Sequence, residues 1–317
     1  METRIKLSAV ALAVAGVFLA GCASAASTQT ESSQTGDAAS PEATSTPEAP
    51  LELPQGGREI FPEYRLVGFS GAGGDPSFAL GRLTGDLDAR CREIKRIGKD
   101  YAYGRTVQPI FENISTTVTA SPGEDGKYRF RRSNKEIREY LAAARECKAI
   151  LLLNIQPGRS EFMPEMKHFE RFLKEPDVGV ALDPEWAMDP DKRPNLDLGR
   201  TTGKELNDAA IYLSEIVQEY NLPEKVMVYH QFNDTVDNPK QLRPQEGIAI
   251  VRSIDGLGGP AAKTETYDTL VKGQPKFIHP GFKLFYSEDV NPPWGSRLMT
   301  PKEVMSLKPR PEYILYE

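Results

Sequence analysis

Apolar runs alternate with amphipathic stretches along most of this chain. The runs fall at residues 66–70, 107–113, 149–156, 178–186, 225–232, 248–255, 283–287 and 313–316, eight in all. Segments with helical periodicity lie between them, at residues 80–101, 134–147, 161–174, 202–221, 261–272 and 301–307. The fifth connection, residues 233–247, carries the weakest helical pattern. Ser133/Asn134 and Thr201/Thr202 read as helix N-caps, and Thr300-Pro301 sets a proline at a first helical turn. Eight strands alternating with helices predict an α/β fold, a single (β/α)8 TIM-barrel-like domain. The eighth strand closes the sequence, so the barrel is expected to lack its last helix. A doubly wound open sheet is the alternative.

The pattern is different at the N-terminus. Arg4 and Lys6 precede an apolar run from Leu7 to Ala20. That run is short for a membrane span and has the proportions of a secretory signal. Leu19-Ala20-Gly21-Cys22 resembles the lipobox of bacterial lipoprotein precursors. The resemblance implies cleavage before Cys22, a lipid on its thiol and new N-terminus, and an extracytoplasmic, membrane-anchored protein. The alternative is an ordinary signal peptide cut near Ala23-Ser24-Ala25, which also sends the protein out of the cytoplasm. Residues 22–57 are rich in Ser, Thr, Ala, Pro and Glu, and too poor in apolar groups to offset the entropy of ordering. They read as a disordered tether of ~35 residues spanning roughly 30–35 Å. The expected organisation is therefore a signal peptide at 1–21, a tether at 22–57 and the barrel at 58–317.

Composition narrows the partners. The formal net charge is −6 and the sequence holds no basic block, so neither nucleic acid nor direct binding to anionic lipid is expected. The expected partners are the bacterial membrane, through lipid on Cys22, and a glycan ligand, with the protein a monomer. Besides Cys22 there are two cysteines, Cys91 and Cys147, both in helix-patterned segments. They form either a disulfide, permitted in an oxidising compartment, or two buried thiols. No CxxC, HExxH or paired-cysteine spacing is present, so no metal or other cofactor is expected.

The alternation also says which side chains face the barrel axis. On the fourth strand Gly179, Ala181, Asp183 and Glu185 share one face, and Val180, Leu182, Pro184 and Trp186 the other. The small and acidic face suits the interior. Gly68 and Ser70, Ile110 and Glu112, and Leu152, Asn154 and Gln156 follow the same rule on the first three strands. His230 on the fifth and Ser253 and Asp255 on the sixth extend it; on the seventh Lys283 and Phe285 share one face and Tyr286 and Glu288 the other. Polar groups thus gather at the C-terminal ends of the strands, where barrels of this class carry their chemistry. Asp183 and Glu185 would lie ~6.5–7 Å apart on an extended strand. Two such carboxylates repel, which holds a proton on one and leaves the other ionised.

Asp183-Pro184-Glu185-Trp186 resembles the D-x-E pair at the fourth strand of chitinase-type and muramidase-type glycoside hydrolases. By that resemblance Glu185 is the acid and Asp183 its helper. Glu112, Asn154, Gln156, His230, Asp255, Lys283 and Tyr286 would then bind substrate. The chain departs from both patterns. Ala181 interrupts the longer acidic run of the chitinase type, Asp177 falls out of its register, and Gly68-Phe69-Ser70 lacks the first-strand aspartate of muramidases. The whole domain also resembles secreted actinobacterial proteins of no assigned activity. Two further functions are open: a non-catalytic carbohydrate-binding barrel, and a metal-dependent hydrolase using Glu112, Asp183, Glu185, His230 and Asp255. Lys283 reads as the partner of an inward acid. Gly256-Leu257-Gly258-Gly259 reads as a turn or an anion cradle, and His279-Pro280-Gly281 as a turn before the seventh strand. Tyr229, Phe285, Tyr286 and Trp294 are candidates to line a sugar cleft.

Overall fold

The computed structural model describes residues 50–73, 80–194 and 196–317. The expected signal peptide, Cys22 and residues 23–49 of the tether lie outside them. Eight parallel strands follow the chain order around a closed barrel. They are β1 (Tyr64–Ala72), β2 (Thr106–Val118), β3 (Ile150–Ile155), β4 (Val178–Leu182), β5 (Lys225–Gln231), β6 (Ile248–Ile254), β7 (Ile278–Leu284) and β8 (Tyr313–Tyr316). β1 pairs with both β2 and β8, so the ring has no open edge and the open-sheet alternative falls. Helices on the outside are α1 (Leu87–Gly98), α2 (Asn134–Cys147), α3 (Phe162–His168), α4 (Glu170–Leu173), α5 (Gly203–Glu219), α6 (Pro260–Val271) and α7 (Pro301–Val304).

The period of two in the strands divides the core. Leu66, Ile110, Leu152, Val228, Val251 and Leu315 fill the barrel. Their neighbours Phe69, Phe111, Val180, Met227, Ile250 and Ile314 face the helices. Each fully buried side chain of this kind stabilises the fold by about 1.5–3 kcal/mol. Residues 51–57, expected in the tether, belong to the folded unit instead. Leu53 and Ile60 join the inner cluster, Tyr64 Oη donates to Gly56 O at 2.8 Å, and Gln55 Nε2 donates to Val107 O at 2.6 Å. They cork the floor, the end where the strands begin. One leucine, Leu53, is enough in this polar stretch because both barrel and loop supply partners, and Leu51 stays exposed. Residues 50–317 contain both core clusters, all eight strands and the disulfide, and so are expected to fold without the 49 residues before them.

The capping signals hold. Ser133 and Glu136 form a capping box on α2, Thr202 caps α5, and Thr300 with Glu303 boxes α7, whose first residue is Pro301. Four expectations change. First, α1 starts at Leu87, because Leu80–Gly81 instead pairs with the end of β1 and Asp86 caps the helix. Second, the helix expected at 161–174 breaks at Phe169. Third, residues 233–247 form no α-helix, only Val236–Asp237 and a single turn at Pro239–Gln241. Fourth, β7 runs through His279-Pro280-Gly281 and ends at Leu284 rather than Ser287. Pro280 fits there because the ladder to β8 starts only at Gly281, and at Pro280 that side needs only the carbonyl, which accepts from Glu312 N at 2.7 Å.

Cys91 of α1 and Cys147 of α2 form a disulfide with a Cα–Cα distance of 5.8 Å. It ties two neighbouring helices across a sequence separation of 56. Restricting the unfolded chain in this way is expected to stabilise the domain by about 3 kcal/mol. Urea unfolding of Cys91→Ser/Cys147→Ser, or of reduced protein, should show that loss. An unchanged midpoint would mean that the link contributes nothing in solution.

Candidate active site

Every strand delivers an inward polar side chain to the C-terminal mouth. Ser70, Glu112, Asn154, His230, Ser253, Lys283 and Tyr313 come from the strands, and Asp183 and Asp255 from the residues just beyond β4 and β6; all are buried. The structure thus brings together eight of the nine sequence-derived candidates for this site, with Glu185 and Gln156 at its rim. Tyr286 is the exception. Its ring stacks on Tyr316 at 5.4 Å and faces Arg82 at 5.4 Å, on the helix side of the barrel.

Glu112 is saturated. Oε1 accepts from Ser70 Oγ at 3.1 Å and Asn154 Nδ2 at 3.2 Å, and Oε2 from Tyr313 Oη at 2.6 Å and His230 at 3.2 Å. Asp255 is engaged as fully, by His230 Nδ1 at 2.8 Å, Ser253 Oγ at 2.7 Å and Lys283 Nζ at 3.3 Å. Lys283 also pairs with Glu317 at 2.6 Å. His230 therefore sits between two carboxylates. Burial alone would lower its pKa, but Asp255 and Glu112 overcome that and raise it well above the usual histidine range. The ring is an imidazolium at neutral pH and donates from both nitrogens. In return, burial would raise both acids, yet His230 and Lys283 hold Glu112 below its ordinary value and bring Asp255 to about 2. These four charges form a closed internal network with little capacity left for a ligand.

Asp183 and Glu185 are different. β4 ends at Leu182, and Pro184–Trp186 form a single 3-10 turn, so the two acids do not share a strand face as the alternation predicted. Pro184 has no amide to continue the ladder. Trp186 N and Ala187 N instead close the turn onto Asp183 O at 3.0 Å and Pro184 O at 3.1 Å. The turn still carries Glu185 into the mouth, where it is buried. Asp183 is fixed by neutral amides: Asn154 Nδ2 at 3.0 Å on Oδ1 and Gln156 Nε2 at 3.1 Å on Oδ2. Its nearest cation, His230 Nε2, is 3.9 Å away. Burial, the dominant cause, lifts Asp183 to about 6 against the pull of His230 and Lys283. Burial, then the charges of Asp183 and Asp255, raise Glu185 well above the carboxylate range. Glu185 is therefore a neutral acid at neutral pH beside an ionised Asp183. Its Oε2 has no hydrogen-bond partner, nor does Asn154 Oδ1. These are the free polar atoms of an otherwise satisfied cluster.

The turn depends on a close approach. Gly199 N donates to Glu185 O at 2.7 Å, and a Cβ at Gly199 would lie 2.2 Å from Ala187 O. Gly199→Ala is expected to displace the Glu185 turn and lower any activity by about tenfold or more, because misplacing a catalytic group by about 1 Å costs up to 10²-fold. Near-normal turnover in a folded Gly199→Ala protein would show that this turn does not position the acid.

Ser70 and Ser253 were read from the sequence as inward polar groups without a role, and Tyr313 and Glu317 were not singled out. The alternation Tyr313, Leu315, Glu317, along β8 and the residue after it, carried the signal for the last two. Also unanticipated is the buried pair of Lys263 on α6 and Asp289, at 3.0 Å. Asp289 accepts Gly258 N at 3.2 Å and Phe285 N at 2.9 Å, so it braces the loops after β6 and β7. Gly259 N donates to Trp294 O at 3.2 Å. Those amides serve protein acceptors, which argues for a structured turn over an anion cradle. Tyr229 faces the helix layer, Phe285 lies 5.1 Å from both Lys263 and Lys283, and Trp294 is exposed on the loop after β7.

Among the described residues no group of three or more His, Cys, Asp or Glu side chains is arranged to hold a metal ion. The donors on Glu112 and Asp255 occupy the oxygens a cation would need. A surface groove of about 1150 Å³ lies on the outer wall between α6 and α7 and shares no residue with the acidic cluster. Among the described residues no helix is long and apolar enough to cross a membrane. No protein-family model matches the chain, and no similar curated protein is found.

Proposed function

We propose that this protein is an extracytoplasmic, membrane-anchored lipoprotein whose barrel hydrolyses glycosidic bonds of cell-envelope or environmental polysaccharide. The observation that carries the catalytic part is Glu185, a buried neutral acid with a free Oε2, beside an ionised Asp183 held by two amides. In this reading Glu185 donates its proton to the glycosidic oxygen as the bond to the sugar breaks. Asp183 stabilises the positive charge that develops on the sugar. Water then adds to the sugar, and the proton it releases restores Glu185. Asn154 Oδ1 accepts a substrate hydroxyl or amide, and Glu112, His230, Asp255 and Lys283 keep Asp183 and Asn154 in place.

The lipobox at Leu19-Ala20-Gly21-Cys22 supports the anchor, and the Cys91–Cys147 disulfide suits an oxidising compartment. The saturated state of Glu112 and Asp255 favours a second reading, a carbohydrate-binding barrel without turnover. Reducing-sugar release from pooled bacterial and plant polysaccharides by residues 50–317 separates the two. Release by wild type and not by Glu185→Gln supports hydrolysis. Saturable glycan binding by both proteins with no release would favour the binding barrel.

A further inference from the structure

Two aromatic side chains at the mouth belong to neither core. Trp186 follows Glu185 in the turn after β4, and Phe232 follows the last residue of β5. Both are partly buried, and among the described residues neither joins the inner or the helix-side cluster. Their neighbours do, for Ala187 and Tyr229 both pack on the helix side. Strict alternation along β4 would send Trp186 to the helix layer too, but the chain leaves the strand at Leu182. Among the described residues no acceptor meets Trp186 Nε1, which therefore reaches solvent at the mouth. A buried indole N–H ordinarily finds a partner.

Strand register brings the two rings to one side of the mouth. β4 pairs with β5 so that Leu182 lies level with Tyr229. The next residues, Asp183 and His230, approach to 3.9 Å, and the turn Pro184–Trp186 lies against β5, which Phe232 prolongs. Phe232 shares the parity of His230 and so faces the barrel axis, one layer above it. Beside them Glu185 is 8 % exposed, and its Oε2 has no partner. An apolar wall next to a few unpaired polar atoms is the usual make-up of a ligand site. The cations beneath this wall are already engaged. His230 lies between Glu112 and Asp255, and Lys283 between Asp255 and Glu317. On the rim Arg200 pairs with Asp237, Arg297 pairs with Glu303, and Lys127 and Arg193 stand on exposed loops.

We propose that Trp186 and Phe232 form an aromatic subsite that seats an uncharged pyranose ring of a glycan against Glu185 and Asp183, and that this subsite selects neutral sugars over uronates and sulfated sugars. A pyranose carries C–H groups on its faces and hydroxyls round its edge. The faces stack on the two rings, while the edge meets the free Glu185 Oε2 and Asn154 Oδ1. A carboxylate or sulfate on that ring would lose its hydration beside Asp183, with no cation released to meet it. The proposal rests on the glycan reading of this site and narrows it to a sugar class. Binding of this kind does not require turnover.

The chain has two tryptophans, so Trp294→Phe leaves Trp186 as the one indole reporter. The test follows the emission of full-length Trp294→Phe protein in mild detergent, with Glu185→Gln added so that nothing is consumed. The probes are cellohexaose, chitohexaose and hexagalacturonate. A saturable shift is expected with at least one of the two neutral oligosaccharides and none with hexagalacturonate. Phe232→Ala should weaken that binding by about fivefold or more. Phe232→Leu, which keeps bulk without the ring, takes its place if the alanine variant does not fold. An equal shift with hexagalacturonate, no shift with any of the three, or unchanged affinity in the folded Phe232 variant would overturn the proposal. The hydrolase reading fails separately, if a neutral oligosaccharide binds here and protein with Glu185 intact releases no reducing sugar from it. Release that Glu185→Gln abolishes, with no response from Trp186, would leave hydrolysis standing and remove this subsite.

Discussion

Glu185→Gln is expected to reduce glycan turnover by about 10²–10⁴-fold while leaving the barrel folded. The amide matches the acid in shape but has no proton to give to a leaving oxygen. Wild-type activity should be bell-shaped in pH. It rises near pH 6, where Asp183 ionises, and falls where Glu185 loses its proton. Stability supplies an independent readout. The folded pKa of Glu185 lies well above the ordinary 4.5, because the carboxyl is buried and faces Asp183 and Asp255. Above pH 4.5 the unfolded chain releases this proton and the folded protein keeps it. The stabilising contribution is therefore complete below pH 4.5 and is lost as the pH rises through the folded value, by roughly 1.4 kcal/mol per unit. The glutamine of the variant does not titrate and has no such dependence. Thermal melts should show the variant gaining on wild type from acid to alkaline pH. A constant difference across that range would mean that Glu185 is not held as a buried acid, whatever the assay shows.

How far the sequence reached depends on the kind of signal. Period-two alternation is local, and it named the inward residues Ser70, Glu112, Asn154, His230 and Asp255 before any tertiary contact was known. It failed where the backbone leaves the strand. Glu185 was assigned to the inward face by extending β4 through Pro184, but proline ends the ladder there and a 3-10 turn delivers the carboxylate by another path. Tyr286 was assigned by carrying the seventh strand on to Ser287, though the chain turns after Leu284 and sends that ring to the helix layer. Tyr313 escaped because Tyr-Ile-Leu-Tyr reads simply as a buried strand; its hydroxyl matters only because Glu112 lies 201 residues earlier in the chain and 2.6 Å away in space.

Glu112→Gln is expected to cost about 3–5 kcal/mol of stability at pH 7, a loss typical of removing one partner from a buried charge pair. Ser70, Asn154, Tyr313 and His230 all donate to the Glu112 carboxylate. A glutamine has one oxygen, so two of the four donors would meet its amide hydrogens. His230 would lose one of its two anions while Lys283 still opposes its charge, and its raised pKa should fall. The pH dependence has a definite sign. The folded pKa of Glu112 is depressed, so its contribution is present above about 4.5 and is lost as the pH falls through the folded value. The gap between wild type and variant should therefore be widest near neutral pH and narrow in acid. The contribution of His230 has the opposite sense, complete below its ordinary 6.5 and lost as the pH rises through the folded value. In the variant that alkaline loss should be smaller and should be complete at lower pH. Tyr313→Phe removes a single donor and should cost only about 1 kcal/mol. Urea unfolding of both variants at pH 4 and 7 measures these differences. A Glu112→Gln loss no larger than that of Tyr313→Phe would mean that the carboxylate charge does not hold the mouth of the barrel together.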